Sequence, residues 1–336
     1  MSRRFTLGVV AALVAAFVAP MTSTASPTVP ALDHVFVVVF ENQDYATVMA
    51  PDSPAPYLRA LAADNALLNQ YYGVGHVSLT NYIGMTDGEL PDADTKVDCI
   101  HKYCVRDQRN IADQLEEHGK TWMAYMGSML VPCQHPPLAG APDPFQSPYA
   151  TRHNPFVYYS DIVDDPARCN AHDVPYDQAA FESMLAADAE VPNFSFVVPD
   201  NCDNSHDPIC FEPPGLPESG GLGKADEWAA THLPAIIAYV DSHPRSVLFV
   251  TFDEANPATD SSDCCGRPAS AGGHIVTIAI GQDVRDDYVD ETGYNHYSLL
   301  RTLEDGFGLT NQTGHTEYLG EAGKPEIVSI AAPFNP

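Results

Sequence analysis

The stretch Val35-Phe-Val-Val-Val-Phe-Glu-Asn42 joins an unbroken apolar run to an acid and an amide. A second stretch, Val247-Leu-Phe-Val-Thr-Phe-Asp-Glu254, has the same form. Apolar runs of this length are typical of parallel strands that are buried on both faces. Polar residues directly after such strands lie at the carboxyl edge of an open α/β sheet, where these folds place their sites. The two stretches therefore predict an α/β fold with a polar site at one edge of its sheet.

The four polar residues of these strand ends are the kind of ligands that hard cations prefer. Glu41, Asn42, Asp253 and Glu254 offer carboxylate and amide oxygens. Neighbouring side chains in a strand point to opposite faces, but this constraint ends with the last ladder bond. The alternative for each pair is an ordinary turn with its acid in solvent. We expect one divalent metal ion, with Ca²⁺, Mg²⁺, Mn²⁺ and Zn²⁺ all open.

The rest of the chain alternates strand-like and helix-like segments, which predicts a mostly parallel central sheet flanked by helices. The predicted helices cover residues 56–69, 81–86, 110–118, 176–187, 225–243 and 297–307. Further strands are predicted at 122–126, 193–198 and 274–280. Residues 26–336 are predicted to form a single domain, with a surface insertion around 132–176, a region rich in Pro, His and Asp.

The N-terminus has the pattern of a secretory signal peptide. Arg3 and Arg4 precede an apolar stretch at 7–19, and small residues lie around Ala25, which predicts a signal over residues 1–25. The alternative is a membrane anchor, for which the apolar stretch is short. We expect a secreted protein without stable membrane insertion. Removal of two arginines and no acids moves the formal charge from −29 to −31, so nucleic acid is an unfavourable partner. The oligomeric state stays open.

Eight cysteines in an exported chain predict disulfide bonds. Cys99 is close enough in sequence to pair with Cys104, and Cys202 with Cys210. The pairing of the other four is left open: Cys133, Cys169, Cys264 and Cys265. The last two are adjacent, and adjacent cysteines rarely bond each other because the geometry is strained. A zinc site is disfavoured because no Cys-x-x-Cys pair occurs.

A serine and several histidines are candidates for the chemistry. Ser78 opens a predicted helix, where it could be an ordinary N-cap or mark an anion site. A cation that touched this hydroxyl would lower its pKa and make it a nucleophile, although Thr80 is a competing hydroxyl. The histidines near predicted strand ends or helix starts are candidates for acid catalysis or phosphate binding: His153, His206, His274 and His296.

Six segments, occurring in order, resemble a known family. They are His34-Val-Phe-Val-Val-Val-Phe-Glu-Asn42, Gly75-His-Val-Ser-Leu-Thr-Asn-Tyr82, Asn193-Phe-Ser-Phe-Val-Val-Pro199 with residues 203–207, Val250-Thr-Phe-Asp-Glu254, Gly273-His-Ile-Val-Thr277 and Tyr294-Asn-His-Tyr-Ser-Leu-Leu-Arg-Thr-Leu-Glu304. Together they look like the bacterial phosphoesterases that include acid phosphatases and phospholipases C of the non-haemolytic type. That family is similar in fold to alkaline phosphatase.

The resemblance implies a role for each matching residue. It implies Ser78 as the nucleophile on a metal, with a covalent phosphoserine. The implied metal ligands are Glu41, Asn42, Ser78, Asp253 and Glu254. The residues implied to contact the phosphoryl oxygens or the leaving group are Asn81, His206 and His296. Two further residues match motif positions and are expected to bind substrate: His153 and His274.

Three positions depart from the family pattern. Thr80 stands where the family often has Pro, and Asn204 stands where it often has Asp. The Asp-His pair that many phospholipase relatives carry is missing after Glu254, which weakens a phospholipase assignment. We expect a secreted, metal-dependent hydrolase of small phosphate esters, similar to an acid phosphatase. Phospholipase C acting on phospholipid diesters is the alternative, and a non-catalytic secreted cation-binding protein is the alternative of another class.

Overall fold

A nine-stranded sheet lies at the centre of the computed structural model, which describes residues 28–99, 104–135, 148–212, 216–266, 271–310 and 317–335. The predicted signal peptide lies outside these residues. The strands in chain order are β1 His34–Phe40, β2 Ala66–Tyr72, β3 Trp122–Met126, β4 Asp173–Pro175, β5 Phe194–Val198, β6 Ile209–Glu212, β7 Leu216–Ser219, β8 Ser246–Phe252, β9 His274–Ile275, β10 Thr277–Ile280 and β11 Tyr288–Asn295. Strands β6 and β7 form a separate two-stranded sheet.

The helices pack as two groups against this sheet. In chain order they are α1 Tyr45–Val48, α2 Pro56–Asp64, α3 Ser78–Thr86, α4 Ile111–Glu117, α5 Ser160–Val163, α6 Pro166–His172, α7 Gln178–Ala187, α8 Leu222–Ser242 and α9 His296–Phe307. Helix α8 packs on α2 and α7, while α9 packs on α3 and α4. None of the described helices has the length and apolarity that crossing a membrane requires.

The sheet order is β11-β2-β10-β8-β1-β5-β3-β4, and β9 pairs with β2. Strand β1 lies in the middle and is parallel to both neighbours, β8 and β5. Every residue from Val35 to Phe40 is fully buried, as the unbroken apolar run predicts. The predicted mostly parallel sheet is confirmed. Strand β10 is the exception, since it runs antiparallel to both β8 and β2.

The register of β1 and β8 determines where their polar ends lie. Phe40 pairs with Phe252, and the N–H of Asp253 donates to the carbonyl of Phe40 at 2.8 Å. Glu41 and Asp253 therefore leave the sheet side by side. Two distant parts of the chain meet here because their apolar runs pair in parallel register.

One predicted helix is wrong in its second half. The helix predicted for residues 56–69 ends at Asp64, and Ala66–Tyr72 is strand β2. Asn65 breaks the helix with an extended backbone, at φ −124° and ψ −160°. Leu67 and Leu68 favour helix locally, but pairing of β2 with β10 and β11 overrides that propensity.

Residues 132–176 are predicted as a surface insertion, and the structure describes residues 132–135 and 148–176 of this segment. Its described part includes β4, which pairs in parallel with β3 at the edge of the sheet. Phe156 and Tyr159 are fully buried. The segment thus contributes to the core, and its status as an insertion stays a prediction.

Four disulfide bonds join the eight cysteines: Cys99–Cys104, Cys133–Cys169, Cys202–Cys210 and Cys264–Cys265. The two pairings expected from sequence distance are present. The expectation that adjacent cysteines do not bond each other is wrong here. Cys265 and Gly266 have φ values of 63° and 72°, so the chain turns tightly at this point and the two neighbouring sulfurs meet.

Candidate active site

Two buried carboxylates lie at the carboxyl ends of β1 and β8. Glu41 and Asp253 are both fully buried. Oδ1 of Asp253 accepts backbone N–H bonds from Asn42 at 3.0 Å and from Glu254 at 2.6 Å. Oδ2 of Asp253 is buried and has no hydrogen-bond partner among the described residues. This unpartnered oxygen points to a missing positive charge or donor, because burying an unpaired carboxylate is costly.

The hydroxyl of Ser78 reaches this pair of acids. Ser78 is the first residue of α3, and its Oγ donates to Oε2 of Glu41 at 2.9 Å. Its side chain is buried. The competing hydroxyl, Oγ1 of Thr80, is buried and has no hydrogen-bond partner in the described part of the chain. The methyl group of Thr80 instead packs against Gly75, where a Cβ would lie only 2.4 Å from it.

The turn before Ser78 is strained and is held by Glu254. Val77 has a φ of 107°, a value that a β-branched residue rarely adopts. Its N–H donates to both carboxylate oxygens of Glu254, at 3.1 and 3.0 Å. Oε2 of Glu254 also lies 2.8 Å from Nδ1 of His76. The strain directs the Ser78 side chain toward Glu41, and observed strain of this kind is typical of functional sites.

Glu41 has two further neighbours. Tyr82 donates its hydroxyl hydrogen to Oε1 of Glu41, and Nε2 of His153 lies 3.3 Å from Oε2. Burial raises the pKa of Glu41 well above its usual value, and the nearby charge of Asp253 raises it further. The two carboxylates therefore resist being ionised together unless a cation lies between them. Sequence reasoning missed Tyr82, although it stands four residues after Ser78 and hence on the same helix face.

Burial also raises the pKa values of Asp253 and Glu254. Burial raises the pKa of Asp253 to about 6, although the N–H of Asn42 and the side chains of Glu41 and Ser78 lower it. Burial and the charge of Asp253 raise the pKa of Glu254 to about 10. Both shifts favour the protonated acids, because charge is poorly solvated at this buried edge.

The predicted metal ligands divide into two sets. Glu41, Ser78 and Asp253 lie together at the ends of β1 and β8. Glu254 is turned toward the loop before α3, where its carboxylate is used by Val77. Asn42 has a φ of 54° and contributes its backbone N–H to Asp253.

A histidine and an arginine form the next layer of the site. His206 lies between Asp207, whose Oδ1 is 2.7 Å from Nδ1, and Arg152, whose Nη2 is 3.0 Å from Nε2. The rings of His206 and His153 are 5.5 Å apart. Arg152 is a buried cation that sequence reasoning missed. Its signal was its position next to His153 and the scarcity of basic residues, with 16 Lys and Arg against 45 acids.

Asn81 braces the loop in front of Ser78. Its Oδ1 accepts the N–H groups of Val74 at 2.7 Å and Gly75 at 3.2 Å, and its Nδ2 donates to the carbonyl of Gly75 at 2.8 Å. The amide is thus engaged with the backbone. Its predicted contact with phosphate stays a prediction, and its observed contacts are structural.

The Nε2 atoms of His296 and His274 contact backbone carbonyl oxygens. Nε2 of His296 is 2.5 Å from the carbonyl oxygen of Asp253, and burial lowers the pKa of this histidine to about 4. Nε2 of His274 bonds the carbonyl of Asn69 at 2.8 Å, and its ring stacks on that of Tyr45 at 4.2 Å. The buried ring of His296 supports the end of β8 through its contact with the carbonyl of Asp253, and the catalytic role of this histidine stays a prediction.

Comparison with known proteins identifies the family of this chain. The model of the Phosphoesterase family matches residues 40–310. A phosphatidylinositol-3-phosphatase of Mycobacterium tuberculosis is 28% identical over 313 residues, which cover 92% of this chain and 89% of the relative. An acid phosphatase of Aspergillus fumigatus is 21% identical and covers 88% of this chain, but the chain spans only 59% of that relative.

Solved structures show the same fold. A protein of the alkaline phosphatase superfamily from Vibrio parahaemolyticus aligns with a TM-score of 0.54 and 16% identity, covering 84% of this chain and 68% of that one. The lipoteichoic acid synthase LtaP from Listeria monocytogenes aligns with a TM-score of 0.52 and 12% identity, covering 87% and 75%. The expected alkaline-phosphatase-like α/β architecture is confirmed.

Proposed function

The chain belongs to the phosphoesterase family and is a phosphate ester hydrolase, and from this premise we propose that it works as an acid-phosphatase-like enzyme with Ser78 as its nucleophile. The observation that carries this proposal is the 2.9 Å hydrogen bond from Ser78 Oγ to Glu41 Oε2 at the start of α3. It gives the hydroxyl a proton acceptor in a buried site. The positive end of the α3 helix dipole favours an anionic substrate next to this hydroxyl.

The residues present fit a divalent cation. Among the described residues, none hydrogen-bonds the buried Oδ2 of Asp253, and Glu41 and Ser78 lie beside that carboxylate. Glu41, Ser78 and Asp253 would hold the ion, and Asn42 and Glu254 remain proposed ligands from the motif. When bound, the ion would supply positive charge that favours a deprotonated hydroxyl and neutralises phosphoryl oxygens. Its identity stays open among Ca²⁺, Mg²⁺, Mn²⁺ and Zn²⁺.

The protein's own residues account for the remaining steps. Oγ of Ser78 forms the bond to phosphorus, and its proton passes to Oε2 of Glu41, which already accepts its hydrogen bond. The bond between phosphorus and the leaving oxygen breaks, and His206 is the proposed donor of the proton to that oxygen. Water then cleaves the phosphoserine, releasing phosphate and restoring the hydroxyl.

The named relatives favour monoesters over diesters. They are a phosphatidylinositol-3-phosphatase and several acid phosphatases. A lipid phosphate monoester is therefore a second candidate substrate, and the phospholipase C alternative is less well supported. Because the family hydrolyses phosphate esters, an enzyme is favoured over the alternative of a non-catalytic binding protein.

The proposed location of the protein is outside the cell, after removal of residues 1–25. The proposed mature protein is a single domain over residues 26–336. The four disulfide bonds support export.

A substrate panel tests this function. Rates are measured on 4-nitrophenyl phosphate, bis(4-nitrophenyl) phosphate and phosphatidylinositol 3-phosphate, each with a divalent metal or with a chelator. We expect hydrolysis of monoesters that depends on metal. Preferential hydrolysis of the diester would support the phospholipase-like alternative instead, and full activity in chelator would contradict the metal site.

A further inference from the structure

Arg152 is a buried cation. Asp98 contacts both Arg152 and the first turn of α3, the helix that Ser78 begins. The side chain of Arg152 is only 6% exposed, and its Nε lies 3.6 Å from Oδ2 of Asp98. Oδ1 of Asp98 accepts the N–H of Leu79, in the first turn of α3, at 2.9 Å. The charge of Arg152 also lowers the pKa of Glu41, although less than burial and Asp253 raise it. The guanidinium therefore acts electrostatically on the centre that holds Ser78.

The contact between Arg152 and His206 determines the tautomer of that histidine. A guanidinium has five N–H donors and no acceptor. Its Nη2 lies 3.0 Å from Nε2 of His206, so Nε2 carries a lone pair and no proton in this state. The ring proton then belongs to Nδ1, which donates to Oδ1 of Asp207 at 2.7 Å. His206 is neutral here, and the nitrogen that faces Arg152 has no proton to give.

This arrangement conflicts with His206 acting as a proton donor while Arg152 stays where it is. The N–H at Nδ1 is engaged in its hydrogen bond to Asp207, and Nε2 accepts a hydrogen bond from the guanidinium of Arg152. A proton can reach Nε2 only after the guanidinium moves. An anion that attracts Arg152 away would therefore turn a blocked histidine into an available acid.

We propose that Arg152 binds the phosphoryl group of the substrate, and that its movement from His206 to phosphate frees Nε2 of His206 to carry the proton for the leaving oxygen. This inference rests on the proposed function and names a substrate-binding residue for it. A phosphate dianion can displace His206 as the partner of Arg152. Bidentate, charge-assisted hydrogen bonds to phosphate are stronger than a single hydrogen bond to a neutral imidazole. Asp98 keeps hold of Nε while the outer end turns.

Acids and a cation surround His206, and its ring is partly open to solvent. The charged and titratable neighbours are Asp207, Asp98, Arg152 and His153, whose ring lies 5.5 Å away. Two of these neighbours are acids, and the guanidinium of Arg152 is the group that covers Nε2. The side chain of His206 is 27% exposed, so the proton comes from solvent. It leaves with the alcohol when the phosphorus–oxygen bond breaks.

Two variants and a matched control test the proposal. Arg152→Gln and Arg152→Lys are compared with Arg109→Gln, which removes a surface arginine that pairs with Glu117. Rates are measured on 4-nitrophenyl phosphate and on phenyl phosphate, whose leaving group needs more help from an acid. Inhibition by inorganic phosphate is measured with the same proteins.

We expect Arg152→Gln to raise KM and the inhibition constant of inorganic phosphate at least about tenfold, since a charged hydrogen bond is lost. Arg152→Lys restores part of this affinity, and Arg109→Gln changes nothing. The kcat values on the two substrates fall by similar factors, because Nε2 is already free in the variant. An unchanged phosphate inhibition constant overturns the proposal. So does a loss confined to phenyl phosphate, which would show that Arg152 only holds His206 in place.

A second measurement uses the wild-type protein, so its outcome does not depend on whether the Arg152 variants fold. The ring nitrogens of ¹⁵N-labelled histidines are followed by NMR during titration with inorganic phosphate, and His206→Gln assigns the signal. We expect Nε2 of His206 to change from unprotonated to protonated as phosphate saturates the site. A signal that stays unprotonated at saturation overturns the proposal. Absence of aryl phosphatase activity in the wild type would instead contradict the proposed function, and this readout is independent of turnover.

Discussion

Ser78 donates a 2.9 Å hydrogen bond from Oγ to Oε2 of Glu41, a residue 37 positions earlier in the chain. Glu41 follows the central strand β1, and Ser78 begins helix α3. The contact forms because the strained turn at Val77 faces the ends of β1 and β8. It brings a hydroxyl and a proton acceptor together in a buried site that also contains Asp253.

Ser78→Ala should lower kcat on an aryl phosphate by about four orders of magnitude or more, because it removes the nucleophile. Thermal unfolding and circular dichroism should stay close to wild type. Thr80→Val is the matched control and should keep the activity. It also removes a buried hydroxyl that has no partner among the described residues, so stability should be equal or slightly higher. Retained activity in Ser78→Ala would assign the nucleophile to another group.

Asp253→Asn should stabilise the metal-free protein and abolish its response to divalent metal. The new amide keeps the two backbone bonds to Oδ1, and from the position of the unpartnered Oδ2 it can donate to the neighbouring carboxylate of Glu41, which is worth about 1 kcal/mol. Wild type should gain about 2.7 kcal/mol of unfolding free energy at a metal concentration 100 times Kd. The measurement is thermal unfolding with chelator or metal.

Asp226→Asn is the matched control for that experiment. Asp226 is also a buried aspartate, but it accepts the N–H groups of Tyr57 and Leu58 at the start of α2. This variant should be less stable and should keep the full metal response. A metal response in Asp253→Asn equal to that of wild type would place the ion elsewhere.

Val77→Gly should be more stable than Val77→Ala by about 1 kcal/mol or more. A φ of 107° strains any residue with a Cβ, and glycine adopts it without that penalty. Both variants lose the same branched side chain, so their difference reports the strain rather than packing. Urea unfolding midpoints measure it, and equal midpoints would mean that the turn relaxes in solution.

Glu304 should make the protein less stable as the pH rises toward 8. Its Oε1 accepts bonds from Gln114 and from the N–H of Leu319, while burial raises its pKa from 4.5 to about 8. The folded state therefore holds a proton that the unfolded state loses above about pH 4.5. This contribution to stability is full below the unfolded pKa and is lost as pH rises through the folded one.

Urea unfolding at several pH values between 5 and 8 measures this effect. The contribution of Glu304 has a slope of at most about −1.4 kcal/mol per pH unit. Glu304→Gln is a neutral isostere and should make the slope less steep by that amount, while other buried acids such as Asp87 and Asp173, whose pKa values burial raises to about 7, keep the remainder. Glu117→Gln, an exposed control, should leave it unchanged. Equal slopes in Glu304→Gln and wild type would show that Glu304 is ionised in the folded state.

The amino-acid sequence by itself predicted the strands that matter most. The apolar runs at Val35 and Val247 were recognisable as buried parallel strands, and the acids after them as a site at the sheet edge. Ser78 was recognisable as a residue at a helix start. These features follow from local patterns, because burial on both faces requires an apolar residue at every position of a strand.

Other features depended on contacts between distant segments. Local leucines favoured helix over residues 66–69, while pairing with β10 and β11 made them a strand. The pairing of Arg152 with His206 joins residues 54 positions apart. The engagement of Asn81 with its own loop and of His296 with the Asp253 carbonyl likewise appears only in three dimensions. Sequence patterns record how each residue is buried, whereas the direction and partner of a polar side chain are decided by which segments pack together.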